Sequence, residues 1–116
     1  MKVRCLFIMI AGCIFLSCTK SDHICNVENP EINLLWLAGL IDNFRKDEIE
    51  QRITLYRYNN ADVYYIEDCL NCADALDVIK NCSGNNICEI GGIDGRNTCP
   101  DFKDSASRIE VTYSDL

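Results

Sequence analysis

Histidine is almost missing from this chain: among its 116 residues the only histidine is His23. The segment from residue 25 onward therefore has no imidazole, which excludes Ser-His-Asp and Cys-His catalytic arrangements and histidine metal sites there. Acidic neighbours such as Glu67 and Asp68 remain, but a chain with 18 acidic residues forms such pairs by chance. We interpret them as solvated surface rather than as acid/base catalysts. The sequence predicts a protein that is not an enzyme and that holds no cofactor and no metal.

Positive charge is also scarce, with 11 basic against 18 acidic residues and a net charge of −7. If residues 1–17 are removed, Lys2 and Arg4 are lost, and the nine remaining basic residues leave a net charge of −9. Because nucleic acids and anionic lipid headgroups repel so acidic a chain, we expect no nucleic-acid partner and no attachment to a membrane by charge.

Long apolar runs are missing too, apart from the one at residues 5–16. That run has about a dozen residues, whereas a membrane-spanning helix needs roughly 20. It follows Lys2 and Arg4 and precedes the small residues Ser17 and Cys18, which is the pattern of an export signal. We therefore predict a signal peptide at residues 1–17, a tether at 18–24 and one folded domain at 25–116.

The end of the apolar run, Phe15-Leu16-Ser17-Cys18, resembles the lipobox of bacterial lipoproteins. This resemblance implies that Cys18 is lipidated, with acyl chains such as palmitate, and becomes the new N-terminus. Cys13 is an alternative, although its use would leave too short an apolar core, and an ordinary signal peptide or anchor is another. We expect a protein of the cell envelope, anchored by Cys18 in the outer membrane, on a side that the sequence leaves open.

Six of the nine cysteines fall in the predicted domain. They are Cys25, Cys69, Cys72, Cys82, Cys88 and Cys99. An even number of cysteines in a small exported domain is typical of a disulfide framework, so we predict three structural disulfides. The spacing does not choose the pairing, although the bridge of Cys25 should clamp the N-terminal arm to the sheet. We expect Cys69 and Cys72 to pin their loop to two different neighbours.

Three alternative functions stay open, two for these cysteines and one for the loop that precedes Cys99. Cys69 and Cys72 form a CxxC motif that could serve a thiol-disulfide oxidoreductase. Together with Cys82 and Cys88 they could bind zinc, although the second pair is loosely spaced. A loop rich in glycine, between Gly91 and Cys99, could present Arg96 to a protease as an inhibitor does.

The residues after Asn29 predict a helix over 30–45, because Pro30 and Glu31 suit a first helical turn. Apolar residues then recur at spacings of three and four, which predicts one buried face. That face comprises Ile32, Leu35, Trp36, Leu40, Ile41 and Phe44.

Residues 52–58 and 63–66 are rich in β-branched and aromatic side chains around a turn at 59–62, and residues 78–81 and 87–90 flank a second turn. Residues 107–113 alternate and predict a last strand with Ile109, Val111 and Tyr113 on one face. Together these elements predict an α+β domain in which one N-terminal helix packs on an antiparallel sheet of four to five strands. Disulfides should hold this domain together.

Five tyrosines exceed what one small sheet face must bury, so part of them could form a partner surface instead of ordinary cross-strand packing. The stretch ICEIGGIDGRNTCPDF, with NPEINLLWLAGLIDNF before it, is similar to a small family of Bacteroidota lipoproteins of unassigned function. That resemblance implies no catalytic residues. We therefore expect a lipid-anchored, non-catalytic binding or structural module whose protein or glycan partner the sequence does not name.

Overall fold

The structure is a computed structural model that describes residues 23–115. The predicted signal peptide, Cys13, Cys18 and most of the tether lie outside the described residues. Six strands form one antiparallel sheet, so the α+β class is confirmed while the expected count of four to five strands is wrong. The strands are β1 (Arg52–Tyr58), β2 (Ala61–Glu67), β3 (Leu76–Lys80), β4 (Asn86–Gly91), β5 (Arg96–Asn97) and β6 (Ser107–Ser114), in the order β5-β4-β3-β2-β1-β6.

The single predicted N-terminal helix is two helices, α1 (Pro30–Asn33) and α2 (Leu35–Lys46), because Leu34 between them is extended. This break shifts the phase of the helical face. Ile32 and Leu35, predicted to be buried, are 66% and 84% exposed. The face of α2 that reaches the core is formed by Leu37, Ile41 and Phe44, which are spaced by four and three residues.

The hairpin of β1 and β2 turns at Asn59 and Asn60, which both have a positive φ. A two-residue turn of this kind matches the twist of antiparallel strands, and asparagine tolerates the conformation better than most residues. The observed turn is therefore shorter than the predicted four residues, and Tyr58 pairs directly with Ala61. This register places Thr54 opposite Tyr65 and Arg52 opposite Glu67.

The two faces of the sheet carry separate cores, because successive side chains of a strand point to opposite faces. On one face α2 covers a core of Leu37, Ile41, Phe44, Ile53, Leu55, Tyr64 and Ile66. The other face, called the outer face here, has a smaller core beneath the short helix α3 (Phe102–Ser105). Its buried members are Tyr58, Val63, Ile79, Cys88 and Phe102.

Strand β6 does not keep the alternation that its sequence predicts. Its register against β1 shifts twice, so that Val111 lies opposite Thr54 and Tyr113 lies opposite Ile53. Because Ile53 and Thr54 are neighbours and point to opposite faces, Val111 and Tyr113 do so as well. The expected common face of Ile109, Val111 and Tyr113 is therefore wrong.

The six cysteines of the domain form three disulfides: Cys25–Cys82, Cys69–Cys72 and Cys88–Cys99. Cys25 does tie the N-terminal arm to the sheet, since Cys82 lies between β3 and β4. The expectation for Cys69 and Cys72 is wrong, because they bond to each other and not to two neighbours. The chain returns on itself within this motif, which brings the two sulfurs together.

Candidate functional site

A groove of about 410 Å³ lies on the outer face of the sheet and is open to solvent on one side. Its size falls in the range of small-molecule sites, roughly 300–1,000 Å³. Strands β1 and β2 supply its floor, and α3 with the start of β6 forms a wall. It is lined by Arg52, Thr54, Tyr56, Tyr65, Glu67, Ile90, Asn97, Cys99, Phe102, Lys103, Ala106 and Arg108.

Phe102 is the centre of a cluster of four aromatic rings, three of which, Tyr56, Tyr65 and Phe102, line the groove. The Phe102 ring lies 4.9 Å from Tyr58, 5.0 Å from Tyr56 and 5.7 Å from Tyr65, measured between ring centroids. Phe102 and Tyr58 are buried, whereas Tyr56 and Tyr65 are half-buried. The rings are tilted or edge-on to one another, which is the favoured geometry of aromatic pairs. The cluster therefore fixes the two half-buried tyrosines in place.

Two of the three hydroxyl groups of this cluster are already used within the protein. Tyr58 donates to Asp101 at 2.8 Å, and Tyr65 donates to Asp77 at 3.1 Å. Burial is the main cause that raises the pKa of Tyr65, and Asp77 raises it further. The Tyr56 hydroxyl makes no hydrogen bond to any residue in the described range 23–115. It is available to a ligand in the groove.

Three basic side chains border the groove. Arg52 pairs with Glu67 through two contacts, Nε to Oε1 at 2.8 Å and a terminal nitrogen to Oε2 at 3.2 Å, and these hydrogen bonds raise the pKa of Arg52. Lys103 and Arg108 form no ion pair with any residue between 23 and 115. Two exposed cations thus stand without a partner beside the aromatic floor.

This accumulation of positive charge contrasts with the rest of the domain. The described range contains eight lysine and arginine residues against seventeen acidic ones. Three of the eight line this one groove, together with a single acidic residue, Glu67, which is already paired. The groove is therefore a locally positive site on a negative molecule, and such a site attracts anions.

Asp77 beside the groove should make stability depend on pH. Burial raises the pKa of its carboxyl, while the hydrogen bond from Tyr65 acts in the opposite direction. A folded-state pKa above the unfolded value stabilises the fold at low pH, and this contribution is lost as the pH rises through the folded pKa. We therefore expect Asp77→Asn, whose amide oxygen can still accept from Tyr65, to raise the free energy of unfolding at pH 7.

Denaturant unfolding of both proteins at pH 7 and at about pH 3, below the usual pKa of an aspartate, measures this effect. The gain should shrink at the lower pH, where the wild-type carboxyl is protonated. Asp42→Asn is the matched control, because Asp42 is exposed on α2 and its ion pair with the exposed Lys46 contributes little to stability. A loss of stability at pH 7 in Asp77→Asn alone would show that the charge of Asp77 supports the fold.

The Cys69–Cys72 disulfide lies in the connection between β2 and β3, at one end of the sheet. The backbone amide of Leu70 donates to the carbonyl of Glu50 at 2.8 Å, which holds this loop against the segment before β1. Turns, and no helix, follow Cys72, so the helix dipole that lowers the pKa of many reactive thiols is missing at this motif. Asp68 and Asp74 are close in sequence and would raise the pKa of a thiol. The geometry does not favour an oxidoreductase.

We predict that Cys69–Cys72 is nevertheless the first disulfide to be reduced, because Cys72 is exposed whereas Cys88 is buried and Cys25 and Cys82 are half-buried. The expected product under mild reduction has two alkylated cysteines and a retained fold, since a bridge that spans three residues adds only about 2 kcal/mol. Mass mapping after alkylation measures the order of reduction. Simultaneous opening of all three bridges would contradict it.

The segment between Gly91 and Cys99 is not a free loop. It contains β5, which pairs with β4, so that Arg96 lies opposite Gly91. The Arg96 guanidinium contacts Glu89 at 2.7 Å and Asp94 at 3.1 Å, and these hydrogen bonds raise its pKa. Arg96 is thus held against its own segment, whereas Ile93 at the tip is 88% exposed. This arrangement does not favour the presentation of Arg96 to a protease.

The four cysteines considered as zinc ligands are distributed over all three disulfides. Another group of potential ligands, Cys25, Cys82 and Asp62, lies within 4.8 Å. Its two sulfurs are bonded to each other, and a metal requires thiolates. Asp62 is also occupied, since it accepts from the Cys25 backbone amide and pairs with Arg57, each at 3.0 Å.

The family model of a domain of unknown function, DUF6970, matches residues 41–115, which is more than half of the chain. The chain belongs to the DUF6970 family. No curated protein sequence and no solved structure matches it. The matched part of the DUF6970 domain begins within α2 and contains all six strands and the groove.

Sequence reasoning found only part of the groove of this DUF6970 domain. The excess of tyrosines indicated a partner surface, but nothing in the sequence linked these tyrosines to Phe102, Lys103 or Arg108. The available signal was the Cys-Pro-Asp-Phe stretch at residues 99–102, in which Pro and Asp suit the start of a helical turn.

Among the described residues, no helix is long and apolar enough to cross a membrane.

Proposed function

We propose that this protein is a lipid-anchored, non-catalytic binding module of the bacterial cell envelope, and that the groove on the outer face binds its ligand. The observation that carries the proposal is the combination of half-buried tyrosine rings with two unpaired cations in one groove of ligand size. Binding sites typically combine apolar rings with exposed polar groups that have no partner in the protein. The polar groups fix the orientation of a ligand, and the rings supply contact area.

The absence of histidine from the folded domain supports a binding role over a catalytic one. The groove's only carboxylate, Glu67, is paired with Arg52. A general base must reach the substrate proton with an unoccupied lone pair, whereas both oxygens of Glu67 already accept hydrogen bonds from Arg52.

The proposed anchor is Cys18, acylated and inserted in the outer membrane. The resemblance of residues 15–18 to a lipobox supports it, and the three disulfides of the domain fit an oxidising compartment outside the cytoplasm. More than one acyl chain is needed for stable attachment, because a single chain binds membranes only marginally. An intact mass of the membrane-extracted protein tests this: it should start at acylated Cys18. A mass that includes residues 1–17, or that lacks acyl chains, would refute the anchor.

The binding role is tested by screening small ligands against the disulfide-bonded protein and against Tyr56→Leu. Binding should perturb amide signals of β1, β2 and the start of β6 and should weaken in Tyr56→Leu. Tyr113→Leu is the control, because Tyr113 is a half-buried tyrosine of the opposite face, where it contacts Phe44. Ligands that bind both variants equally, or that perturb only the α2 face, would contradict the assignment of the groove.

A further inference from the structure

We infer that the ligand of the groove is a small acidic saccharide, whose carboxylate pairs with Arg108 and Lys103 while its ring lies against Tyr56 and Tyr65. This inference rests on the proposed function, because it assigns a chemical class to the ligand of the same groove. It is carried by the placement of the two cations relative to the rings.

Both cations line the wall of the groove, Lys103 on α3 and Arg108 at the start of β6. Arg108 on β6 is the register partner of Tyr56 on β1, so its side chain leaves the sheet next to the Tyr56 ring. Lys103 directly follows Phe102, whose ring contacts Tyr56 at 5.0 Å. Both cations are exposed and unpaired within residues 23–115. An anionic group beside the Tyr56 ring would satisfy the planar guanidinium of Arg108 through two hydrogen bonds.

The rest of the groove fits a polyhydroxylated ring better than an apolar one. The groove is open on one side, so a ligand inside it keeps contact with water. Neutral hydrogen-bonding groups line it next to the rings, namely the free Tyr56 hydroxyl and the exposed Asn97 side chain, whose Oδ1 accepts from the Cys99 backbone amide and whose amide nitrogen can donate to a ligand. A sugar presents C–H groups on its ring face and hydroxyls around its edge, and these features match tyrosine faces flanked by polar groups.

Other anionic ligands fit less well. A nucleic acid would face a molecule with seventeen acidic and eight basic described residues, and two free cations neutralise too few phosphates for stable binding. A simple inorganic anion would make no use of the two half-buried tyrosine rings. The volume of about 410 Å³ also matches a ligand of only a few rings.

The test compares three probes on the acylated protein in detergent micelles: galacturonate, neutral galactose and benzoate. Ligand-observed NMR titration gives the dissociation constant of each. We expect galacturonate to bind at least about tenfold more tightly than galactose, because a hydrogen bond to a charged group contributes at least that factor. Arg108→Gln should reduce this difference, since only Lys103 is then left to pair with the carboxylate, and added salt should reduce it as well.

Arg45→Gln is the matched control, since Arg45 is an exposed arginine of α2, away from the groove, and loses the same charge. Lys103→Gln gives a second measurement if Arg108→Gln does not fold. Equal, Tyr56-dependent binding of galactose and galacturonate would overturn the acidic class but leave the proposed function in place. Preferential binding of benzoate would overturn the saccharide. Failure of every probe in this test overturns the inference, whereas the proposed function falls only if the broader screen also finds no Tyr56-dependent ligand.

Discussion

Replacing both Cys25 and Cys82 by alanine is expected to lower the free energy of unfolding by about 4 kcal/mol. The two residues are separated by 57 positions, and a disulfide stabilises more when it closes a longer loop, because it removes more conformations from the unfolded chain. The loss is a large part of the total stability of a small domain, which is about 5–15 kcal/mol. Denaturant unfolding of the double variant measures it.

The environment of this disulfide provides a local readout of the same change. The Trp36 indole nitrogen donates to the carbonyl of Cys82 at 2.8 Å, and the Trp36 ring lies against Gly84 in the turn between β3 and β4. Loss of the bridge should therefore also alter the fluorescence of this tryptophan, which is the only one in the chain.

The double replacement of Cys69 and Cys72 is the natural control for that experiment. That bridge spans only three positions, so its removal should lower the free energy of unfolding by about 2 kcal/mol and leave the Trp36 signal unchanged. Equal losses in the two double variants would contradict the loop-length argument. They would mean that local packing around each bridge, and not the entropy of the unfolded chain, sets its contribution.

The sequence predicts elements well where a local pattern determines them. The hairpin of β1 and β2 follows from β-branched and aromatic runs around Asn59 and Asn60, and these asparagines adopt the positive φ that the turn requires. The helix prediction failed at Leu34, where the apolar period continues through a residue that is extended. Periodicity measures which residues are apolar, and it does not detect one residue that leaves the helical conformation and shifts the face after it.

The groove and the disulfide pairing depend on long-range contacts, which local patterns do not encode. Phe102 meets Tyr56 and Tyr65 only because β6, which follows α3, crosses back to pair with β1. The two register shifts in β6 decide which of its side chains face the groove, and the residue types of that strand do not predict where these shifts occur. The Cys25–Cys82 bridge likewise joins residues 57 positions apart, whereas the self-pairing of Cys69 and Cys72 is local and follows from the tight return of the chain within their loop.

The Phe102→Ala variant is expected to lose about 3–5 kcal/mol of unfolding free energy, because it removes a buried aromatic side chain and leaves a cavity. Phe102 also contacts Tyr56, Tyr58 and Tyr65, and its backbone amide donates to the carbonyl of Cys99 at 3.0 Å, so it joins the disulfide-tied segment to the sheet. Thermal or denaturant unfolding measures the loss, and near-ultraviolet circular dichroism reports the order of the tyrosine rings.

Phe102→Leu separates the stability of the domain from the architecture of its groove. Leucine retains much of the buried apolar volume, so this variant should stay folded with a smaller loss, while the ring contacts that orient Tyr56 and Tyr65 disappear. Ligand binding should then weaken in a protein whose fold is intact. If Phe102→Leu binds as tightly as the wild type, the tyrosines are positioned by the sheet alone. If Phe102→Ala loses less than about 1 kcal/mol, α3 does not form part of the cooperative fold, and the groove wall must order separately from the sheet.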